Sequence, residues 1–260
     1  MPSPHIRLFS SDLDGTLLGQ PESCWRFAAA WAALPVRRRP ILVYNTSRTV
    51  ANTLPLVLTR GLPEPDFIIG SVGTEFHDGL HDSADDFRRQ FGEGWNLEEV
   101  RHLVGLMPGV TEQPPECQHP YKSSWYWTRA RRDEVADLAW RLRATGIQAH
   151  VEYSCRYFLD VVPVRAGKGR ALNWLCRRLH IALCDVLVAG DSANDSSMFL
   201  LDDVNGIVVG NALPELLSEV SSLQMFVAQG IMADGVVEGL RYFGVLDAPE
   251  QVALDPSLDV

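Results

Sequence analysis

Four short, largely apolar runs in this chain, at residues 6–9, 41–44, 67–69 and 186–189, each open into a loop of small and polar residues. Runs this short, with no polar residue at every second place, suit strands buried on both faces. After Ile41-Leu42-Val43-Tyr44 come Asn45-Thr46-Ser47-Arg48 and then a stretch with helical character to Leu58. Strand, loop and helix in repetition describe an open parallel α/β sheet. Such sheets hold ligands at the carboxyl ends of their strands, so the loops after the runs are where chemistry is expected.

The loop after the first run reads Ser11-Asp12-Leu13-Asp14-Gly15-Thr16. Residues two apart at a strand end face one side, so Asp12 and Asp14 converge. Two adjacent anions repel and need a compensating cation, and a hard divalent ion with oxygen ligands supplies one. Gly15 lets the backbone turn sharply, and Thr16 can hydrogen-bond local backbone as the chain leaves the strand. The run at 186–189 opens into Gly190-Asp191-Ser192-Ala193-Asn194-Asp195, a second acidic loop at a strand end. Between the two lies Gly167-Lys168-Gly169, just ahead of a helix expected at 170–179. A lysine at a helix N-terminus opposes the helix dipole. The placement makes sense where an anion binds to the helix amides and the ammonium together.

The 260 residues carry 33 acidic and 23 basic side chains, a formal charge of -10. A nucleic-acid partner asks for a basic face and is not expected. An anionic substrate is compatible, because a metal and a few lysines reverse the field within one cleft. Five scattered cysteines with no CxxC argue against a disulfide framework or a structural zinc site. The first strand begins by residue 6, leaving no room for a signal peptide ahead of it, and no apolar run reaches membrane length. A soluble cytoplasmic protein is the expectation.

From about residue 82 the character changes. Residues 81–96 are polar, acidic and glycine-rich, and apolar positions at helical spacing follow over 97–107. A partly alternating strand is expected at 122–127, and a helix at 133–145 between Asp133 as start and Gly146 as stop. Two strands follow at 149–153 and 157–162 around a turn. This block reads as an inserted α+β unit at 83–159, with residues 1–82 and 160–260 forming the core. Four tryptophans lie in it, Trp95, Trp125, Trp127 and Trp140. Flat aromatic surfaces suit sugar rings, so a minority of these are expected at a pocket wall and the rest in a core. Further on, a strand and turn at 207–212, a helix from Pro214, a short strand at 225–228 and a last helix from Ala233 continue the core, and the residues from Ala248 read as a mobile tail.

The string DLDGT after an N-terminal strand resembles the first motif of the haloacid dehalogenase-like phosphatases. YNTSR is similar to that family's second motif, with Ser47 where glycine is usual. Lys168 before its helix looks like the third, and GDSAND like the fourth. The resemblance implies an α/β fold, a Rossmann-like parallel-sheet core with an inserted α+β cap. It implies that Asp12 attacks phosphorus to form an aspartyl phosphate, and that Asp14 protonates the leaving oxygen and then activates water. Thr46 and Lys168 would hold phosphoryl oxygens. Mg2+ would be held by Asp12, the Asp14 carbonyl and Asp191, with Asp195 orienting a metal-bound water. Asn194 would brace the loop, and Ser47, Arg48, Thr74, Glu75, Lys122 and Asn194 are carried over as substrate contacts.

Over nearly its whole length the chain resembles the sucrose-phosphate phosphatase-like branch. HPYKSSWYW, GIVVGNALPELL and ADGVVEGLRYFG look most like mannosylfructose-phosphate phosphatase. The implied partner is a phosphorylated disaccharide, mannosylfructose phosphate or sucrose 6-phosphate, and association with the cognate glycosyl-phosphate synthase is a further expectation. Mannosyl-3-phosphoglycerate phosphatase or another sugar phosphatase is the near alternative. A sugar phosphomutase and a non-catalytic synthase-binding module are the more distant ones.

Overall fold

The computed structural model describes residues 5–78 and 87–247. The expected boundary at 82–83 and the tail from Ala248 lie outside the described residues. The core sheet has seven strands. They are β1 (Leu8–Ser11), β2 (Ile41–Asn45), β3 (Phe67–Gly70), β4 (Glu75–His77), β9 (Val186–Gly190), β10 (Asn205–Val208) and β11 (Phe226–Val227). Their order is β11-β10-β9-β1-β2-β3-β4. Every pair is parallel except β3 with β4.

Alternate residues of the central strands feed two separate apolar layers, as parallel strands covered on both faces must. Phe9, Leu42, Tyr44, Leu187 and Ala189 pack on one side with helix α1 (Pro21–Ala33) and the last helix, α8 (Met232–Tyr242). Leu8, Val43, Val186 and Val188 pack on the other with α5 (Lys168–Leu179), through Leu172 and Leu175. Helix α2 (Val50–Arg60) starts where the Thr49 side chain accepts from the Asn52 amide and stops at Gly61, whose φ is 65°. Those are the cap and the left-handed C-terminal residue that helix ends favour. Short helices α6 (Ser196–Phe199) and α7 (Pro214–Glu219) complete the core.

The inserted unit is a second, antiparallel sheet in the order β5-β6-β8-β7. Its strands are β5 (Val110–Glu112), β6 (Ser123–Trp127), β7 (Ala149–Ser154) and β8 (Phe158–Pro163). Helices α3 (Leu97–Gly105) and α4 (Arg132–Ala144) cover one face with Val100, Val104, Leu138 and Leu142 against Trp125, Trp127, Leu159 and Val161.

Two features differ from expectation. The boundary read at residue 160 falls inside β8, which pairs with β6 and β7 as far as Val161 and Pro163. Val161 packs into the cap cluster, while Val162, pointing the other way, packs into the core cluster. A strand buried in two domains in succession shows no change of composition at the join. The strands β4 and β5, where no strand was expected, are three residues long and partly polar, too short for an alternating pattern to stand out.

Candidate active site

Strand register assembles the site. Ser11 is level with Tyr44 on one side and with Ala189 on the other. Asp12, Thr46 and Asp191 therefore leave the sheet at the same rim, and the Asp12 amide donates to the Ala189 carbonyl at 3.0 Å. Gly15 makes the close approach possible. Its φ is 86°, and a Cβ there would lie 2.4 Å from Asp191 Oδ2. Any other residue would be strained and would push the two acidic loops apart.

Asp12, Asp191 and Asp195 each present a carboxylate oxygen within 4.8 Å of the others. All three are buried. Lys168 enters from the first turn of α5, wholly buried, and donates to Asp12 Oδ1 at 2.6 Å and to Asp195 Oδ1 at 2.7 Å. Burial works against its charge, but the two carboxylates outweigh that and hold the ammonium protonated, above its ordinary range. One ammonium does not neutralise three acids. Burial, with Asp195, Asp191 and Asp14 adding to it against the pull of Lys168, raises Asp12 well above the usual carboxylate range. Burial and Asp195 push Asp191 up to about 7. Such a cluster lacks positive charge. Its donors are all carboxylate oxygens, which fits a hard cation such as Mg2+.

The hydrogen bonds sort these acids by availability. Asp195 spends one oxygen on Lys168 and the other on the Asp191 and Ser192 amides at 3.0 and 3.1 Å. Asp191 accepts from Thr16 through Oδ1 only, at 3.3 Å, and Asp12 from Lys168 through Oδ1 only. Among the described residues, Asp12 Oδ2 and Asp191 Oδ2 are thus the acceptors left to a ligand.

The Asp14 side chain stands outside this trio. It is half-exposed and clamped by Arg48, with Nε to Oδ2 at 2.7 Å and Nη2 to Oδ1 at 2.8 Å. Thr46 is buried, and its hydroxyl oxygen accepts from the Arg48 amide at 3.2 Å. Lys122 crosses from the cap to the core. Its buried ammonium donates to the Ser47 carbonyl at 2.9 Å and lies 3.7 Å from Asp160 Oδ1, which also accepts from Ser124 Oγ at 2.6 Å. Asn194 accepts from Ser192 Oγ at 3.1 Å.

A cleft of about 280 Å³ lies between the rim and the open face of the cap sheet, lined by Asp12, Asp14, Ser47, Arg48, Lys122 and Asn194 among others. Thr74 and Glu75 do not line it. Thr74 donates to the Ser71 carbonyl, and Glu75 accepts from Ser71 Oγ and from the Val50 amide, bracing the start of α2. None of Trp95, Trp125, Trp127 and Trp140 lines it either. Trp125 and Trp127 are turned into the cap interior, and Trp140 is 65% exposed on α4. The aromatic wall is instead Tyr126 and Phe158, which sequence reasoning passed over with Asp160 and Cys155. The available signal was parity: in Ser124-Trp125-Tyr126-Trp127, Tyr126 faces away from its tryptophan neighbours.

No helix among the described residues is long and apolar enough to cross a membrane. The chain matches the family described as sucrose-6F-phosphate phosphohydrolase over residues 5–244. A mannosylfructose-phosphate phosphatase of Agrobacterium fabrum is 39% identical over 92% of this chain and 98% of its own length. Sucrose-phosphatase 1 of Nicotiana tabacum is 32% identical over 90% of this chain, which spans 58% of that longer protein. The X-ray structure of the sucrose-phosphatase from Synechocystis sp. PCC6803, in complex with sucrose and phosphate, superimposes with a TM-score of 0.83. That match has 27% identity and covers 92% of this chain and 98% of the other. Four motif loops on one rim, an α+β insert above them and relatives matched over nearly the whole chain lead to one assignment: the chain belongs to the sucrose-6F-phosphate phosphohydrolase family of haloacid dehalogenase-like phosphatases.

Proposed function

We propose that this protein hydrolyses the phosphate monoester of a disaccharide, mannosylfructose phosphate before sucrose 6-phosphate, through a covalent aspartyl phosphate. The observation that carries the reading is a buried carboxylate, Asp12, held by a buried ammonium at the floor of a cleft whose roof is a separate sheet. The preference between sugars rests on the higher identity to the mannosylfructose-phosphate phosphatase.

Phosphoryl transfer depends mainly on positioning and on neutralising charge. An oxygen of Asp12 forms the new bond to phosphorus as the bond to the sugar oxygen breaks. Asp14, at the cleft wall, gives its proton to that departing oxygen. The proton on the Thr46 hydroxyl is available to a phosphoryl oxygen, since that group only accepts from Arg48. Lys168 keeps Asp12 aligned and lowers the cost of gathering anions around it. In the free protein both Asp14 oxygens accept from Arg48, which keeps the side chain poised at the cleft wall; Asp14 serves as proton donor once that pair opens and it has taken up a proton. In the second half Asp14 takes a proton from water, whose oxygen displaces Asp12 from phosphorus and frees inorganic phosphate. Asp12 and Asp191 would hold Mg2+, with Asp195 behind them, and the ion would supply the positive charge the three acids lack.

The direct test is phosphate release with Mg2+ from mannosylfructose phosphate, sucrose 6-phosphate, mannosyl-3-phosphoglycerate and hexose phosphates. A clear preference for the first two is expected. A flat profile would remove the disaccharide assignment, and undiminished release by Asp12→Asn would remove the nucleophile.

A further inference from the structure

One face of the cap sheet is sealed under α3 and α4, and the other looks into the cleft. Pairing fixes what that open face carries. Ser124 is opposite Asp160 and Tyr126 is opposite Phe158, so the four side chains form two rungs on one side. The first rung is polar and buried, tied to the core through Lys122 and the Ser47 carbonyl. The second is aromatic and wet. Phe158 is 40% exposed, and both rings line the cleft. Tyr157 backs them, with its ring 4.9 Å from Tyr126 at 24° and 5.1 Å from Phe158 at 76°.

Among the described residues no side chain closes the cleft side of this pair, whereas Trp125 and Trp127 are spent on the cap interior and Trp140 lies on helix α4. The charged floor of the same cleft suits the phosphoryl end of a substrate, not a flat apolar wall. Building on the disaccharide reading above, we infer that Tyr126 and Phe158 form a stacking shelf for the sugar ring that does not bear the phosphate. The apolar C–H face of a pyranose lies on the rings, while its hydroxyls stay in water or meet the Tyr126 hydroxyl. The shelf selects two-ring over one-ring phosphates and takes no part in the chemistry.

The test compares kcat/KM for mannosylfructose phosphate with kcat/KM for fructose 6-phosphate in the parent, Phe158→Ala, Phe158→Leu and Tyr126→Leu. The leucine variants keep apolar bulk and remove the flat ring. The ratio is expected to fall about five- to tenfold in each, through KM for the two-ring substrate, in line with the worth of one aromatic stacking contact. Trp140→Ala, an exposed cap aromatic away from the cleft, is the control and keeps the parental ratio. An unchanged ratio in the shelf variants, or equal losses on both substrates, overturns the inference. A parent enzyme that releases phosphate readily from hexose phosphates but not from the disaccharide overturns the underlying substrate reading instead, and the shelf with it.

Discussion

Lys168→Met isolates the electrostatics of the site. The ammonium is wholly buried and serves Asp12 and Asp195 together. Methionine fills much the same volume but leaves both acids in place, buried and unpaired. Breaking a buried pair by removing one partner costs about 3–5 kcal/mol. For a protein of this size about 2–4 °C accompanies each kcal/mol, so melting should fall by about 6–20 °C. The pH dependence gives the mechanism. Burial already favours the acid form of Asp12, and removing Lys168 takes away the largest opposing effect. A carboxyl whose folded pKa is raised destabilises the fold fully above that pKa, and the penalty fades as pH falls through it. The metal-free variant should therefore lose most at about pH 8 and recover much of the deficit by about pH 5. Adding Asp195→Asn should restore part of the loss at high pH. Calorimetry of metal-free protein across pH reads all three arms. A variant melting within about 2 °C of the parent at high pH, or a deficit that does not shrink on acidification, would refute the reasoning.

Other outcomes follow from the same geometry. Asp191 sits at about 7 in the metal-free fold, and a ligand carboxylate must be ionised, so Mg2+ should raise the melting temperature more at about pH 8 than at about pH 5.5, and Asp191→Asn should abolish most of that gain. Asp12→Asn should lower phosphate release at least about a thousandfold while the protein stays folded, measured by turnover and circular dichroism. Arg48→Lys replaces a two-pronged clamp by a point charge and should cut kcat about tenfold with little change in KM, since the clamp acts on Asp14. Gly169→Ala puts a Cβ 1.9 Å from the Ser197 carbonyl oxygen and should cost about 1–3 kcal/mol in denaturant unfolding as α5 is pushed off α6.

Much of the core was legible from sequence. The central parallel strands β1, β2 and β9 are short apolar runs, and each leads into polar residues at the rim. Asp12, Thr46 and Asp191 could be assigned a common rim because parallel strands share a direction, and Lys168 joined them as a lysine at a helix N-terminus, where an anion is expected. The contacts between side chains were not legible. That Arg48 clamps Asp14, and that Lys122 reaches the Ser47 carbonyl, depends on how loops 34 and 75 positions apart in sequence fold back on one another. The cap was harder still. Its two faces are set by parity and pairing, and Trp125-Tyr126-Trp127 offers aromatic rings to both. Only the partner strand decides that the tryptophans go inward and the tyrosine outward. Thr74 and Glu75 show a related ambiguity: a polar loop at a strand end can stabilise the fold, as Glu75 does by accepting from the Val50 amide.

The continuity of β8 bears on how such enzymes can be recombined. Its residues are shared between two hydrophobic interiors, Val161 in one and Val162 in the next. A chimaera spliced at 159 would join half a strand from one parent to half from another, with mismatched neighbours on both sides. A splice after Pro163 transfers the whole strand, but Val162 must then suit the recipient's core.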